Sequence, residues 1–253
     1  MTQLNPFSLS GKHILVTGAS SGIGRDVAIW LSKQGAVITL VARDVERLKA
    51  SLDLLEGTGH TVEVVDFLDG TDISQWLKSV ARLSSPFDGL VHAAGVQMPM
   101  PIRATSLSHW EKIMSTNVTS GFSLIKAFRQ KGVCNPDSSI VLISSVMAQA
   151  GEPALLGYCA SKGAVESMVR AAAVELAREG IRVNAIAPGI VQTELVDTLQ
   201  SLVGADSMKA IEQRHPLGFG KTEDVAYAAN YLLSPAARWV TGTAMVVDGG
   251  YLA

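Results

Sequence analysis

The sequence is poor in cysteine and has no grouped histidines. Only Cys134 and Cys159 occur among 253 residues, too few for a disulfide framework, and neither belongs to a pair with metal-ligand spacing. The five histidines are scattered and form no HExxH or similar grouping. We therefore expect a reducing compartment and no metal in the chemistry.

The chain also lacks an excess of charge and a long apolar run. Its 21 basic and 23 acidic residues give a formal net charge of -2, which provides no field to attract nucleic acid or an anionic membrane. Residues 1–10 have no basic start followed by an apolar run, and no later stretch reaches the ~18 apolar residues that span a bilayer. These absences predict a cytoplasmic protein with neither nucleic acid nor membrane as partner.

What the sequence does contain is a regular alternation of short β-branched runs and longer amphipathic stretches. Hydrophobic residues make up 47% of the chain and no linker divides it, so residues 1–253 are expected to form one domain. The alternation predicts an α/β fold, doubly wound, with helices on both faces of a parallel sheet. Asp44 and Thr222 are expected to cap helices, and Gly35 follows the first helix. The seven predicted strands are 13–17, 36–42, 61–66, 89–92, 139–144, 182–187 and 244–247.

A glycine-rich turn joins the first predicted strand to the first helix. The turn has the spacing Gly-x3-Gly-x-Gly and consists of Gly18, Ser20, Ser21, Gly22, Ile23 and Gly24 with the intervening Ala19. Glycines let the backbone turn sharply and approach a pyrophosphate, whose charge then meets the free N–H groups at the helix start. The alternative interpretation is an ordinary glycine-rich turn that binds no ligand. Directly after the first strand of an α/β chain, the turn favours a dinucleotide site.

Tyr158 and Lys162 are four residues apart, so a helix would present both on one face. An unperturbed phenol has a pKa of ~10, and a fixed positive charge beside it favours the phenolate. We therefore expect Lys162 to lower the pKa of Tyr158. Ser145 lies 13 residues before Tyr158, at the end of a predicted strand, where open α/β sheets place their ligands. Ser144 is adjacent and chemically equivalent, so it is the alternative candidate for the catalytic serine.

Together these motifs resemble the short-chain dehydrogenase/reductase family, with a single Rossmann-type domain. The resemblance implies a cofactor half at about 10–150 and a catalytic and substrate half at about 151–253. It implies that Tyr158 donates the proton to a carbonyl, that Ser145 holds the carbonyl oxygen, and that Lys162 tunes Tyr158 and binds the nicotinamide ribose. Asn117 would anchor a water that relays protons to Lys162. Cys159 is assigned no role.

Further matches follow along the chain, with one departure. The resemblance implies cofactor contacts from the pair Asp66–Phe67 near adenine, and from Pro188, Gly189, Val191 and Thr193 near the nicotinamide carboxamide. The family's Asn-Asn-Ala-Gly segment is here His92, Ala93, Ala94 and Gly95. The Ala-Gly half, which packs under the cofactor, is kept. We expect His92 to be a structural substitute for asparagine, satisfied in the core, and not a catalytic base.

The end of the second predicted strand favours NADP(H) over NAD(H). Ala42 stands where NAD enzymes place a carboxylate for the ribose 2′-hydroxyl, and Arg43 beside it can grip a 2′-phosphate. Asp44 is the competing acid, 20 residues after Gly24. We interpret Asp44 as a helix cap.

The substrate is read from residues 193–216, which in the family cover the active site. The apolar residues there are Leu195, Val196, Leu199, Leu202, Val203 and Met208. They suit an acyl, alicyclic or aromatic ketone, and the chain most resembles the 3-oxoacyl-[acyl-carrier-protein] reductases. Arg129, Lys131, Arg178 and Arg182 are candidate carrier-protein contacts.

Two other functions remain open. One is an alcohol, polyol or sugar dehydrogenase working oxidatively, and the other is a catalytically silent dinucleotide-binding scaffold, which would usually lose Tyr158 or Lys162. A homotetramer is expected from the resemblance, which implies pairing of the helices that contain Asn117 and Tyr158.

Overall fold

Seven parallel strands form one sheet in the order β3-β2-β1-β4-β5-β6-β7. The computed structural model describes residues 5–194, 196 and 205–253. Each strand pairs with its neighbour in parallel register, for example Thr17 with His92 across β1 and β4. The strands are β1 His13–Thr17, β2 Val37–Ala42, β3 Thr61–Val64, β4 Phe87–His92, β5 Cys134–Ile143, β6 Arg182–Pro188 and β7 Ala244–Val247.

Helices cover both faces of this sheet, because successive strand residues point to opposite sides. Leu15 and Leu90 belong to one buried cluster, whereas their neighbours Val16 and Val91 belong to the other. The first cluster packs α3, α5 and α6, and the second packs α1, α2 and α8. The predicted doubly wound fold is confirmed. The α-helices are α1 Gly22–Lys33, α2 Val45–Leu52, α3 Ile73–Leu83, α4 Leu107–Met114, α5 Ser120–Phe128, α6 Leu156–Leu176, α7 Ala205–Glu212 and α8 Thr222–Leu233.

One predicted strand begins much earlier than its β-branched pattern suggests. The structure starts β5 at Cys134, five residues before the predicted Ser139, because Cys134 pairs with Phe87 before the register shifts. Asn135 is held there by a hydrogen bond of 3.2 Å from its Nδ2 to Asp88 Oδ1. Polar side chains of this kind carry no strand signal in a sequence.

The two predicted caps have different outcomes. Asp44 Oδ1 accepts hydrogen bonds of 3.0 Å from the backbone N–H groups of Glu46 and Arg47, so the predicted cap of α2 is confirmed. Thr222 is the first residue of α8 and not its cap, and the prediction for it is wrong. The Thr222 hydroxyl instead donates a hydrogen bond to the Asp26 carboxylate. At the start of the helix, Asp224 Oδ2 accepts a hydrogen bond of 2.7 Å from the Lys221 N–H.

The sheet order fixes where a ligand can bind. From β1 the chain moves outward to β2 and β3, then returns to β4 on the other side of β1. Neighbouring connections diverge at this switch point, which leaves a crevice at the carboxyl ends of β1 and β4.

The described part of the chain contains neither a membrane span nor a cluster of metal ligands. Of the helices in the described ranges, none combines the length and the apolar character needed to cross a lipid bilayer. Within those same residues, no three His, Cys, Asp or Glu side chains come together closely enough to hold a metal ion.

Candidate active site

The glycine turn after β1 packs directly against the end of β4. Gly18 has φ +68°, and a Cβ added there would lie 2.7 Å from the Ala94 nitrogen and 2.8 Å from the Ala93 carbonyl carbon. A Cβ on Gly24 would collide with the Gly18 carbonyl oxygen. The backbone segments therefore meet without side chains between them, as the turn's sequence predicts.

The start of α1 is open to an anion. Ser21 is the N-cap residue, yet among the described residues its side chain caps no backbone N–H, and the first turn of α1 holds no acidic residue. The helices α2 and α3 differ, since Asp44 and Asp72 cap them through their carboxylates. An uncapped helix start with free N–H groups and a positive dipole end fits a phosphate group.

Arg43 lies at the end of β2, with its side chain 69% exposed and its Nη1 3.7 Å from Asp66 Oδ2. Asp44 is occupied as the cap of α2, as predicted. Asp66 therefore lies beside Arg43, at the side of the crevice next to β3. Phe67 turns inward, with its ring centroid 6.1 Å from those of Trp76 and His92. The Phe67 ring is partly buried by these contacts.

Tyr158 and Lys162 lie on consecutive turns of α6, as predicted. The Lys162 Nζ donates a hydrogen bond of 2.8 Å to the Ile143 carbonyl oxygen at the end of β5. It lies 5.6 Å from the centroid of the Tyr158 ring. Burial lowers the pKa of Lys162 to about 8, so its ammonium form is only modestly favoured at neutral pH.

The pKa of Tyr158 corrects one prediction. Burial raises the pKa of this phenol above its ordinary value, and a hydrogen bond with the Ser145 side chain offsets only part of that rise. The expected lowering of this pKa by Lys162 is therefore not found. The ammonium lies over the ring at 5.6 Å instead of contacting the phenol oxygen, so desolvation of the phenolate dominates.

The two adjacent serines point to different partners. Ser145 Oγ accepts from the Met147 N–H at 3.2 Å, and the Ser145 side chain lies close enough to Tyr158 to offset part of the rise in its pKa. Ser144 Oγ donates to Glu166 Oε1 at 3.2 Å, and its N–H donates to the Ile186 carbonyl at 2.7 Å. Ser144 is thus bound to Glu166, and the role of Ser145 stays a prediction.

Glu166 is a buried acid of the site that the sequence motifs did not single out. It lies one turn after Lys162 on the buried face of α6 and is 6% exposed. A carboxylate four residues after Lys162 was a usable signal, because that spacing places both on one face. Besides Ser144, it accepts weakly from Gln149 Nε2 at 3.5 Å, which ties the loop after Ser145 to the catalytic helix.

Asn117 is buried in a π-helical segment, Ser115–Thr119, between α4 and α5. Its Oδ1 accepts from the Val96 N–H at 2.8 Å, and its Nδ2 donates to the Val96 carbonyl at 2.9 Å and to Ser161 Oγ at 3.0 Å. The side chain thus fixes the segment after β4. A Cβ on Gly95 would lie 3.3 Å from Asn117 Oδ1 and 3.6 Å from Lys162 Nζ, so Gly95 separates the two.

His92 is a satisfied core histidine, as expected. Its Nδ1 lies 2.7 Å from Thr17 Oγ1 and its Nε2 2.9 Å from Ser120 Oγ. Burial and then the charge of Lys162 lower the pKa of His92 to about 3. The neutral ring links β1, β4 and the start of α5 in place of the usual amide.

The segment after β6 reaches the glycine turn. The Gly189 N–H donates to the Val247 carbonyl at 3.0 Å, which fixes the chain just after Pro188. Val191 is 7% exposed and forms a bridge with Gly220. Thr193 Cγ2 lies 3.5 Å from the position of a Cβ on Gly22. The apolar residues Leu195, Leu199, Leu202 and Val203 of the predicted cover lie outside the described residues.

The chain is an α/β protein with a glycine-rich turn after β1 and with Tyr158 beside a buried lysine on α6. A family model described as enoyl-(acyl carrier protein) reductase matches residues 18–252. The chain belongs to the short-chain dehydrogenase/reductase family of oxidoreductases, which confirms the resemblance.

Three relatives show the range of this similarity. Gluconate 5-dehydrogenase of Gluconobacter oxydans is 33% identical over 253 residues, covering 99% of this chain and 98% of the relative. A 3-oxoacyl-[acyl-carrier-protein] reductase of Rickettsia prowazekii is 34% identical over 245 residues, covering 96% and 98%. A structure from Agrobacterium tumefaciens, described as a putative 2-deoxy-D-gluconate 3-dehydrogenase with bound NADP, is 33% identical with a TM-score of 0.87, covering 98% and 99%.

Proposed function

We propose that this protein is an NADP(H)-dependent oxidoreductase that interconverts a ketone and a secondary alcohol, with Tyr158 as the proton donor. One observation carries the proposal. The Tyr158 ring lies 5.6 Å from the buried Lys162 ammonium, and the Ser145 side chain, just after β5, lies close enough to the phenol to offset part of the rise in its pKa.

The residues of the crevice fit a dinucleotide. The pyrophosphate would bind at the uncapped start of α1, over Gly22 and Gly24. The 2′-phosphate would bind at the end of β2, where Arg43 is exposed and Asp44 is occupied as a helix cap. The similar Agrobacterium tumefaciens structure with bound NADP supports this cofactor.

Each polar side chain then has a defined task. The nicotinamide, when bound, supplies or accepts the hydride. Tyr158 donates its phenolic proton to the substrate oxygen, and Ser145 donates a hydrogen bond to the same oxygen while charge develops there. The Lys162 ammonium stabilises the phenolate that remains and hydrogen-bonds the nicotinamide ribose. Asn117 holds Val96, and through it Gly95, at the correct distance from Lys162.

The raised pKa of Tyr158 agrees with a phenol that donates its proton in reduction. A phenol with a pKa above its ordinary value is fully protonated at neutral pH, and this is the form that donates. Oxidation needs the phenolate first, so alcohol oxidation should require more alkaline conditions.

For the substrate we propose a 3-oxoacyl thioester or a related apolar ketone. The support is the similarity to a 3-oxoacyl-[acyl-carrier-protein] reductase over 96% of the chain and the apolar composition of residues 195–208. Two of the proposed carrier-protein contacts are engaged internally. Arg129 Nη2 binds Glu179 Oε1 at 2.6 Å, and Arg182 Nη1 donates to the Val240 carbonyl at 3.2 Å.

The test is NADPH consumption by the purified protein with a panel of 3-oxoacyl thioesters, apolar ketones and 5-keto-gluconate. We expect turnover with the thioesters or apolar ketones that is lost in Tyr158→Phe. Activity only on the keto sugar would replace the substrate proposal with the sugar dehydrogenase alternative. No turnover on any carbonyl with either cofactor, despite tight NADPH binding, would favour the silent scaffold.

We also propose a homotetramer. Large apolar side chains are exposed on the helices expected to pair, with Phe122 on α5 55% exposed and Val174 on α6 79% exposed. A second set lies near the edge strand β7 and the C-terminal region, where Trp239 is 92% and Val246 41% exposed. Two separate apolar surfaces of this kind suit two interfaces between copies. Light scattering that gives a monomer at micromolar concentration would contradict this proposal.

A further inference from the structure

An ion-pair network crosses the opening of the dinucleotide crevice. Glu194 Oε2 accepts a hydrogen bond of 2.5 Å from Arg47 Nη2, on the first turn of α2. Glu194 Oε1 also lies 3.9 Å from Arg25 Nη2, next to the last glycine of the phosphate turn. One carboxylate thus joins the arginines that follow β1 and β2.

The backbone positions place this network where phosphates would bind. Glu194 follows Thr193, whose methyl carbon packs against Gly22. The backbone N–H of Arg47 is one of the two capped by Asp44 at the end of β2. The Arg47 guanidinium therefore extends from the ribose end of the crevice towards its pyrophosphate end. Arg43, four residues earlier, leans the other way towards Asp66.

We propose that Arg47 is a second recognition residue for the 2′-phosphate of NADP(H), and that Glu194 competes with the phosphate for its guanidinium. This rests on the proposed cofactor site beside Arg43. The 2′-phosphate enters between the two arginines and takes over the contact that the Glu194 carboxylate makes with Arg47.

Replacing the Arg47–Glu194 ion pair by an Arg47–phosphate contact costs little free energy, because both side chains are exposed. The side chains of Arg47 and Glu194 are 46% and 58% exposed, and ion pairs of that kind contribute little to stability. A phosphate carries up to two charges and three acceptor oxygens, so a guanidinium binds it more strongly than a single carboxylate. The pKa of Glu194 is lowered, first by its hydrogen bond with Arg47, so this competitor stays charged at neutral pH.

The experiment measures the Kd of NADPH and of NADH by nucleotide fluorescence, without substrate. For Arg47→Gln we expect the Kd of NADPH to rise about 10-fold and that of NADH to change less than about 2-fold. For Glu194→Gln we expect the Kd of NADPH to fall about 3-fold, because the competitor is gone. In an Arg47→Gln background, Glu194→Gln should have a much smaller effect on NADPH. Lys49→Gln is the matched control, since Lys49 is on the same helix and pairs with Glu46 at 2.9 Å.

Two results would overturn the inference. One is an Arg47→Gln variant that changes the binding of NADPH and NADH equally or leaves both unchanged, and the other is weaker NADPH binding in Glu194→Gln. An Arg43→Gln variant separates this inference from the proposed function. If Arg43→Gln selectively weakens NADPH binding and Arg47→Gln does not, only the role of Arg47 fails. If neither variant weakens NADPH binding more than NADH binding, the proposed placement of the 2′-phosphate beside Arg43 is wrong as well.

Discussion

The Lys162 Nζ lies 5.6 Å from the centre of the Tyr158 ring and donates its hydrogen bond to the Ile143 carbonyl at the end of β5. The lysine is therefore anchored to the sheet and not to the phenol. Its charge lies beside the Tyr158 ring, but burial of the phenol dominates and the pKa of Tyr158 lies above its ordinary value.

The binding of NADPH should weaken as Lys162 loses its proton. Burial lowers the pKa of Lys162 to about 8, so the ammonium predominates below pH 8 and the neutral amine above it. We expect the Kd of NADPH to rise at least ~5-fold between pH 7.5 and 9.5, because most Lys162 side chains lose their ammonium form over this range. Lys162→Met should bind more weakly and show no such rise. A parent Kd that stays constant over this range would contradict the assignment of Lys162 to the ribose.

Ser145 and Ser144 should respond differently to replacement by alanine. We expect Ser145→Ala to lower kcat by about 10²-fold with little change in NADPH affinity, because a donor to the developing oxyanion is removed. Ser144→Ala should leave kcat within about 5-fold but lower the free energy of unfolding by about 1 kcal/mol, since Glu166 loses a buried donor. Steady-state kinetics and urea unfolding measure both effects. A larger kcat loss in Ser144→Ala would exchange the roles of the two serines.

Acid should destabilise the protein through His92. Its pKa is about 3 in the folded state against an ordinary value of 6.5, so the unfolded chain binds the extra proton between these pH values. The stabilisation is complete above pH 6.5 and is lost as the pH falls towards 3. At pH 5 the loss relative to neutral pH is about 2 kcal/mol.

His92→Asn should remove this part of the pH dependence. The free energy of unfolding, measured in urea at pH 7 and pH 5, should then change less in the variant than in the parent. His13 is retained in both proteins, and burial also lowers its pKa. It therefore contributes the same loss of unfolding free energy in acid to the parent and to the variant. An equal change in parent and variant would show that His92 is not buried in its neutral form.

The sheet and the placement of Tyr158, Lys162 and Ser145 were predictable because their signals are local. Helical spacing places Tyr158 and Lys162 on one face, Ser145 follows a β-branched strand, and the family resemblance joins the serine to the pair. The cap at Asp44 was equally local.

What the sequence could not provide depends on burial and long-range pairing. The raised pKa of Tyr158 reflects desolvation that no motif encodes. The contact of Arg47 with Glu194 joins residues 147 positions apart. Threonine is a common helix-capping residue, but the Thr222 hydroxyl donates a hydrogen bond to Asp26, 196 positions earlier in the chain.

If the Tyr158 hydroxyl carries the proton, Tyr158→Phe should remove the chemistry and leave the cofactor site in place. The change removes one oxygen and keeps the ring that packs beside Lys162. On the ketone or thioester that the parent reduces best, we expect kcat to fall by about 10²- to 10⁴-fold. The Kd of NADPH should stay within about 2-fold of the parent value, as proton transfer and not cofactor binding is affected. A Tyr158→Phe enzyme that keeps near-normal kcat would contradict the account.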